Sequence, residues 1–247
     1  LHYFDPHFAY LEHEGHAHGP ANYEGPLRSG MPFVELEAAR ETLDDADRER
    51  LLGLYDSEIA FTDQWIGTIL AALRARPRWK DTVIAITSDH GEEFLERGNV
   101  GHGSTLYEEV LAVPLILRVP ASLGERREDP VSTLDLLPTC AALADLSDLP
   151  SMLGRDLLAP GIEPSPLFSE TNLGGVLRAI RDGKLKLVHD LQSSRSQLFH
   201  LGLDPGEQVD QSERYSAERE RLEVELERWL RLTTEARFEL LEADLSE

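Results

Sequence analysis

The types and spacing of a few polar residues could support metal binding or catalysis. In "TVIAITSDHGEEF", an apolar β-branched run leads directly into Asp89 and His90, and "GHG" follows with His102 at its centre. A neighbouring carboxylate and imidazole can supply two ligands to one divalent cation, if the turn directs both to the same point. The alternative is that Asp89 caps a following helix and His90 lies on the surface. The dipeptide alone favours that alternative.

His102 and His7 are candidates for handling an anionic group. The glycines flanking His102 remove side-chain bulk and let the backbone come close to a ligand. A histidine there can donate a hydrogen bond to an oxyanion or protonate a leaving-group oxygen. His7 lies in "YFDPHFAY", where Pro6 restricts the backbone just before it. For each of them a histidine on a flexible loop is the competing interpretation.

The elements that would position these residues form a layered α/β pattern. A helical repeat covers residues 44–76, and "VSTLDLLPTCAALADL" predicts a second helix further along. Between them, "TVIAIT" and "VPLILRVP" lack polar alternation and predict strands that are buried on both faces. Ligands of open α/β sheets bind beyond the carboxyl ends of the strands. Asp89 and His90 fall at such an end.

The last part of the chain has a different sequence pattern. Short apolar runs separated by turns predict a small antiparallel sheet, with a hairpin at Asp182-Gly183. A charged helix is predicted from Ser216, and its apolar stripe consists of Leu222, Leu226, Trp229 and Leu230. We therefore divide the chain into an α/β part, residues 1–150, and a small antiparallel sheet with a terminal helix, residues 151–247.

Composition narrows the class of protein. Of 247 residues 41% are hydrophobic and 28% charged, which is ordinary for a globular chain, and the formal net charge is −22. Such a charge argues against a nucleic-acid partner, although a bound cation and histidines can still attract an anionic substrate. Cys140 is the only cysteine, so no internal disulfide forms. No apolar run reaches the length of a membrane span. The compartment stays open, and we expect any export signal to lie upstream of Leu1.

Taken together, these stretches resemble the sulfatase family of the alkaline phosphatase superfamily. The resemblance runs over residues 3 to about 208. It is carried by "DPHFAY", "YDSEIAFTDQWIGTILAAL", "SDHGEEF", "GHG", "LYEE", "VPLI", "VSTLDLLPT" and "RAIRDGKLKLV…QLFHLGLDPGE". It implies an alkaline-phosphatase-like layered α/β sheet with helices on both faces, plus a small C-terminal antiparallel subdomain and a terminal helix.

The resemblance also implies roles for individual residues. Asp89 and His90 match the family's second pair of metal ligands, and His7 and His102 match the basic residues that hold the sulfate oxygens. The cofactor would be one divalent metal ion, most often calcium in sulfatases. Manganese, magnesium or zinc stay open because imidazole favours softer ions. The substrate would be a small-molecule or glycan sulfate ester.

Two segments of the family pattern are missing from the chain. Neither the N-terminal Asp-Asp segment that supplies the family's first metal ligands nor the C/S-x-P-S/A-R nucleophile segment is present, since Asp44-Asp45 falls at the start of the predicted helix. Cys140 lies in "LLPTCAAL" and is predicted to be a core residue. We therefore expect a carboxyl-terminal portion of a sulfatase, inactive or nearly so by itself. Two alternatives remain: a phosphonate or phosphodiester hydrolase or phosphoryl transferase of the same superfamily, and a non-catalytic binding module.

The remaining histidines receive less specific predictions. His13, His16 and His18 lie in "EHEGHAHGP", which we expect to be an exposed flexible loop. His189 and His200 fall on predicted strands of the small sheet, where a structural role is expected.

Overall fold

The computed structural model describes residues 1–120, 122, 124–146, 150 and 152–244, with side chains up to residue 234. Its contacts divide the chain into two compact units. The first contains Leu1–Ile86, Gly91–His102 and Leu115–Ser122, and the second contains Thr87–His90, Gly103–Pro114 and Leu123–Glu247. The chain therefore passes between the units several times between residues 86 and 123. The division into residues 1–150 and 151–247 stays a prediction.

The first unit begins with a long irregular segment and then becomes helical. Its helices are α1 (Phe33–Ala39), a 3₁₀ turn (Arg40–Thr42), α2 (Asp45–Arg74) and a second 3₁₀ turn (Trp79–Asp81). Asp44 and Asp47 form a capping box at the start of α2, in which each carboxylate accepts the other residue's backbone N–H at 3.0 Å. This box satisfies two of the amide donors that a helix start leaves without partners.

Four short strands lie between residues 84 and 118. They are β1 (Ile84–Thr87), β2 (Glu93–Phe94), β3 (Val100–Gly101) and β4 (Leu115–Arg118). β1 pairs with β4, and β2 pairs antiparallel with β3. The expectation that β1 and β4 are buried on both faces is wrong: Ala85 and Thr87 are exposed, and Ile116 is 61% exposed. The reason is that in the described part of the chain these strands form a sheet of only two.

A buried carboxylate attaches the N-terminal segment to α2. Glu58 is fully buried and accepts hydrogen bonds from the backbone N–H of Leu11 at 2.7 Å and from the ring of His13 at 2.8 Å. The imidazole of His13 also stacks on Phe61, with ring centroids 3.9 Å apart. The prediction of an exposed flexible loop is therefore wrong for His13, because Glu58 and Phe61 of α2 hold it. His18 is exposed as expected.

The second unit is built on an antiparallel sheet. The sheet has the order β5 (Leu167–Thr171), β6 (Leu177–Asp182), β7 (Leu185–Asp190) and β8 (Arg195–His200). The β6–β7 turn contains Gly183 with φ +59°, which confirms the Asp182-Gly183 hairpin. The helices of this unit are α3 (Glu108–Leu111), a 3₁₀ turn (Thr133–Asp135), α4 (Leu136–Leu143) and α5 (Ser216–Asp244).

Both faces of the four-stranded sheet are covered. Because side chains alternate along a strand, Ile180, Leu187 and Leu198 lie on one face, where they pack against Leu222 and Leu226 of α5. The other face packs on the segment before α3. It contributes Ala179, Val188 and Phe199, which contact Leu106. The predicted apolar stripe of the terminal helix is thus confirmed as its contact with the sheet.

A buried ion cluster joins α3 to this sheet. The Lys186 Nζ, on a side chain only 1% exposed, lies 3.0 Å from Glu108 Oε1 and 2.8 Å from Glu207 Oε1. The other carboxylate oxygen of Glu207 accepts the backbone N–H of Glu108, and Arg181 donates to Glu108 at 2.7 Å. The start of α3 is therefore held to β6, β7 and the turns after β8. Among the described residues, no helix combines the length and apolarity needed to cross a bilayer.

Candidate active site

Two glycines with left-handed backbones flank His102. Gly101 has φ +88°, and a Cβ at this position would lie 2.7 Å from the ring of Phe33. Gly103 has φ +93°, and a Cβ there would lie 2.8 Å from the side chain of Leu173. Any other residue at either position would combine an unfavourable backbone with a clash. The backbone conformation on both sides of His102 therefore requires the two glycines of "GHG".

The structure brings His7 and His102 together within the first unit. Their ring centroids lie 5.3 Å apart with the planes at 68°. Phe8 stacks on His102 at 5.4 Å and on Phe33 at 4.3 Å, so the two histidines sit beside an aromatic cluster. Two imidazoles at this separation can contact the same small anion.

Both imidazoles are oriented through Nδ1. The Nδ1 of His102 lies 2.9 Å from Glu92 Oε1, and the Nδ1 of His7 lies 2.8 Å from the Phe8 carbonyl oxygen. A carboxylate and a carbonyl can only accept, so each ring nitrogen must donate. Both rings therefore carry a hydrogen on Nδ1, and Nε2 is the nitrogen at which each ring gains or gives up a proton.

Glu92 is buried at the centre of this arrangement. The residue is 5% exposed, and its second oxygen, Oε2, accepts the hydroxyl of Tyr10 at 2.7 Å. Burial first, and then the charge of Glu92, raise the pKa of Tyr10 far above its usual value. Tyr10 therefore stays a protonated donor at any physiological pH. Burial and the same charge also raise the pKa of Tyr55.

Glu92 and Tyr10 were not predicted as members of the site. A signal was available in the sequence, since Tyr10 lies three residues after His7 and Glu92 lies two residues after His90. However, a glutamate in "GEEF" is more often solvated than buried, and nothing local distinguishes the two cases. Only the pairing of β2 with β3 brings Glu92 beside His102.

Asp89 and His90 directly follow β1 and belong to the second unit. Their side chains are 79% and 30% exposed, and Asp89 Oδ1 lies 3.8 Å from His90 Nε2. The hydroxyl of Ser88 donates to the carbonyl of His90 at 2.7 Å and thereby stabilises the turn.

The Asp89–His90 pair fits a divalent cation as two of its ligands. Metal–oxygen and metal–nitrogen distances are about 2.1 Å each, so one ion can touch both atoms across the observed gap. Within the part of the chain that the structure describes, no group of three or more His, Cys, Asp or Glu side chains forms a metal site. A bound ion would therefore need further ligands from elsewhere.

The predicted site residues thus fall into two pairs. His7 and His102 lie together in the first unit, and Asp89 and His90 lie together in the second. The convergence of all four on one hollow stays a prediction.

The other singled-out residues lie in structural contacts. His189 Nδ1 lies 2.9 Å from the hydroxyl of Ser196, which itself donates to Glu223 of α5 at 2.5 Å. His200 lies near Tyr215, with ring centroids 6.4 Å apart. Cys140 is half-buried on α4.

Comparison with known proteins identifies what the chain is similar to. A family model described as Sulfatase matches residues 4–146, more than half of the chain. An uncharacterised sulfatase of Escherichia coli K12, YidJ, is 35% identical over 159 residues, which are 60% of this chain and 31% of that protein. The chain spans about a third of the length of the curated relatives that it matches.

Solved structures share the fold. A 2-O GAG sulfatase superposes with a TM-score of 0.72 over 88% of this chain and 56% of the other, at 18% identity. A phosphonate monoester hydrolase of Agrobacterium radiobacter gives a TM-score of 0.65 at 25% identity, over 78% of this chain and 43% of the other. The fold predicted from the sequence, alkaline-phosphatase-like with a C-terminal antiparallel sheet and a terminal helix, is confirmed.

Proposed function

Because the chain belongs to the sulfatase family, we propose that it forms part of the active site of a metal-dependent hydrolase that cleaves sulfate esters. The observation that carries the proposal is the His7–His102 pair, with ring centroids 5.3 Å apart and both Nδ1 atoms engaged. Two oriented imidazoles are suited to holding the oxygens of an anionic ester.

The histidines have distinct tasks in this proposal. In this proposal both rings are protonated when the ester is bound, so each Nε2 also carries a hydrogen. Each Nε2 donates that hydrogen to an oxygen of the ester, which stabilises the negative charge on the transferring group. His102 also gives its Nε2 proton to the leaving oxygen, as a general acid. A divalent ion held by Asp89 and His90 would polarise the ester oxygens when bound. The substrate class is a small-molecule or glycan sulfate ester.

We further propose that a complete active site needs residues that this chain does not contain. The chain spans about a third of the length of its relatives and lacks a nucleophile segment, and its Asp44-Asp45 pair forms the start of α2. Without a nucleophile, positioned histidines have no covalent step to assist. Chain 1–247 alone is therefore expected to be inactive or nearly so.

Turnover of 4-nitrophenyl sulfate tests the hydrolase proposal. The assay compares chain 1–247 with the product of the full reading frame that encodes it, with divalent metal present. Only the longer protein should release 4-nitrophenol. In it, His102→Gln should lower kcat by about 100-fold or more, since a general acid is lost. His189→Gln is the matched control, because His189 contacts Ser196 on the small sheet, and it should keep its activity.

Two results would contradict the proposal. Turnover by purified chain 1–247 would show that the chain needs no further residues. Full activity of the His102→Gln variant would show that His102 is not the general acid.

Calorimetry tests the metal ligands in the longer protein. Titration with calcium, manganese, magnesium and zinc should show one site, and Asp89→Asn together with His90→Gln should weaken binding at least about tenfold. Asp63→Asn is the control, since Asp63 is an exposed acid of α2. If no metal binds to the unsubstituted protein, the non-catalytic binding module becomes the better account.

A phosphorus-ester hydrolase is the second candidate. The observation favouring it is the phosphonate monoester hydrolase that shares 25% identity and a TM-score of 0.65 with this chain. The two functions separate in kcat/KM for 4-nitrophenyl sulfate and for 4-nitrophenyl phenylphosphonate, measured with the same enzyme preparation. A higher value for the phosphonate would replace the sulfatase proposal.

A further inference from the structure

We propose that Glu92 is a positioning residue for His102, whose carboxylate fixes the Nδ1–H tautomer and the direction of the ring. The catalytic importance of this positioning rests on the proposed function, in which His102 acts through its Nε2 atom. The tautomer itself does not depend on that function.

The Glu92 carboxylate is held at both of its oxygens. Glu92 is 5% exposed, and each of its oxygens has its own donor: Oε1 the ring of His102 at 2.9 Å, Oε2 the hydroxyl of Tyr10 at 2.7 Å. A buried carboxylate held at both oxygens cannot rotate without losing a bond, which is costly in a buried site. The acceptor facing Nδ1 is therefore stationary.

Glu92 connects the two chain segments that carry His7 and His102. Tyr10 lies on the segment that carries His7, and His102 lies just after β3. Glu92, on the turn before β2, bonds to both segments. A single carboxylate thus sets the relative position of the two chain segments that bear the histidines.

The protonation of Tyr10 and the charge of Glu92 also favour one tautomer of His102. Tyr10 stays protonated because burial raises its pKa, so the second donor is constant. A carboxylate behind an imidazole holds the ring in one tautomer and stabilises the cation when the ring takes a proton.

The test is nitrogen NMR of chain 1–247 labelled with ¹⁵N-histidine. Long-range proton–nitrogen correlations report which ring nitrogen carries the hydrogen once the pH is high enough for the ring to be neutral. His7 is an internal reference, because its Nδ1 is held by a backbone carbonyl that no substitution at residue 92 removes. Two variants are compared. Glu92→Met removes the acceptor of the His102 Nδ1–H with a side chain of similar size, and Tyr10→Phe removes only the hydroxyl that donates to the other oxygen of Glu92.

The expected result is an Nδ1–H ring for His102 in the unsubstituted chain. In Glu92→Met the ratio of the Nδ1–H to the Nε2–H form should fall about tenfold, the loss of one hydrogen bond to a charged group. Tyr10→Phe should keep the Nδ1–H form, and His7 should be unchanged in both. An Nε2–H ring in the unsubstituted chain, or an unchanged ratio in Glu92→Met, would overturn the proposal.

Glu92→Gln covers the case in which the Met variant does not fold, as judged by circular dichroism and the His7 signals. Its amide has the same shape, but its neutral oxygen is a weaker acceptor, so the ratio must still fall. Since no readout involves ester turnover, a failure of the sulfatase assay leaves the tautomer result intact, and the reverse also holds.

Discussion

At the scale of single residues, Tyr23 shows how a surface loop is tied to the start of α2. Its hydroxyl donates to Asp47 Oδ1 at 2.5 Å and accepts the backbone N–H of Leu27 at 3.0 Å. Asp47 is the same residue that closes the capping box with Asp44. Burial, followed by the bond to Asp47, raises the pKa of Tyr23 to about 12.

This raised pKa predicts a pH dependence of stability. The unfolded pKa of tyrosine is about 10, so the stabilisation from the Tyr23 hydroxyl is complete below that pH and is lost as the pH rises through the folded value. The free energy of unfolding, from urea titrations, should therefore differ between wild type and Tyr23→Phe by a constant amount below pH about 10. Above it the difference should shrink.

The variant also serves as the control for this measurement. Tyr10 and Tyr55 have raised pKa values too, but both remain in Tyr23→Phe, so the difference isolates Tyr23. A difference that stays constant up to pH about 12 would contradict the prediction.

At the scale of elements, α2 contains two glycines in opposite surroundings. Gly53 is buried against the N-terminal segment: a Cβ there would lie 2.6 Å from the Gly19 Cα and 2.6 Å from the His18 carbonyl oxygen. Gly67 lies on the same helix, and a Cβ there would have no neighbour within 4 Å. The close approach of the two backbones explains why Gly53 is tolerated in a helix interior.

Alanine at these two glycines should have opposite effects on stability. Gly53→Ala should destabilise the chain by about 1–3 kcal/mol, because backbone atoms must move apart. Gly67→Ala should stabilise it by about 0.5–1 kcal/mol, since the helix loses the entropic cost of glycine. Urea unfolding of chain 1–247 measures both, and changes of the same sign would contradict the contact between α2 and the segment around Gly19.

The ion cluster between α3 and the sheet gives a second prediction at this scale. Lys186→Met removes the cation that is paired with the buried Glu207 carboxylate, which should cost about 3–5 kcal/mol. The half-buried Glu108 keeps its ion pair with Arg181. Arg221→Met breaks the Arg221–Asp182 pair, 2.7 Å long and half exposed, and should cost less than about 1 kcal/mol. Similar losses in the two variants, measured by urea unfolding, would mean that the Lys186 cluster contributes no more than a surface pair.

At the scale of the whole molecule, the dominant property is charge. The chain carries 46 acidic and 24 basic residues, a net charge of −22. Such an excess repels itself in the compact state, and salt screens the repulsion. Raising NaCl from about 0.01 to 0.15 M shortens the screening length from about 30 to 8 Å, so the Tm of chain 1–247 should rise. Thermal unfolding followed by circular dichroism measures this, and an unchanged or lower Tm would contradict the prediction.

Local patterns were enough to predict most elements. The repeat over residues 44–76 became α2 at Asp45–Arg74, the Asp182-Gly183 turn joined β6 to β7, and the apolar stripe of α5 met the sheet. These succeeded because helix periodicity, turn residues and amphipathic faces are set by neighbours in the sequence. The pairing of His7 with His102 was also expected, although through family resemblance and not through local pattern.

The sequence by itself therefore determined the family and the order of most elements, and it predicted the candidate site residues. Tertiary structure alone decided that Glu92 and Tyr10 stand behind His102, that Glu58 holds His13, and that β1 and β4 expose alternate side chains. Each of these depends on which residues, far apart in sequence, become neighbours and on how much water they lose. A local sequence pattern does not determine burial or long-range hydrogen bonds, because both arise only when separate segments pack together.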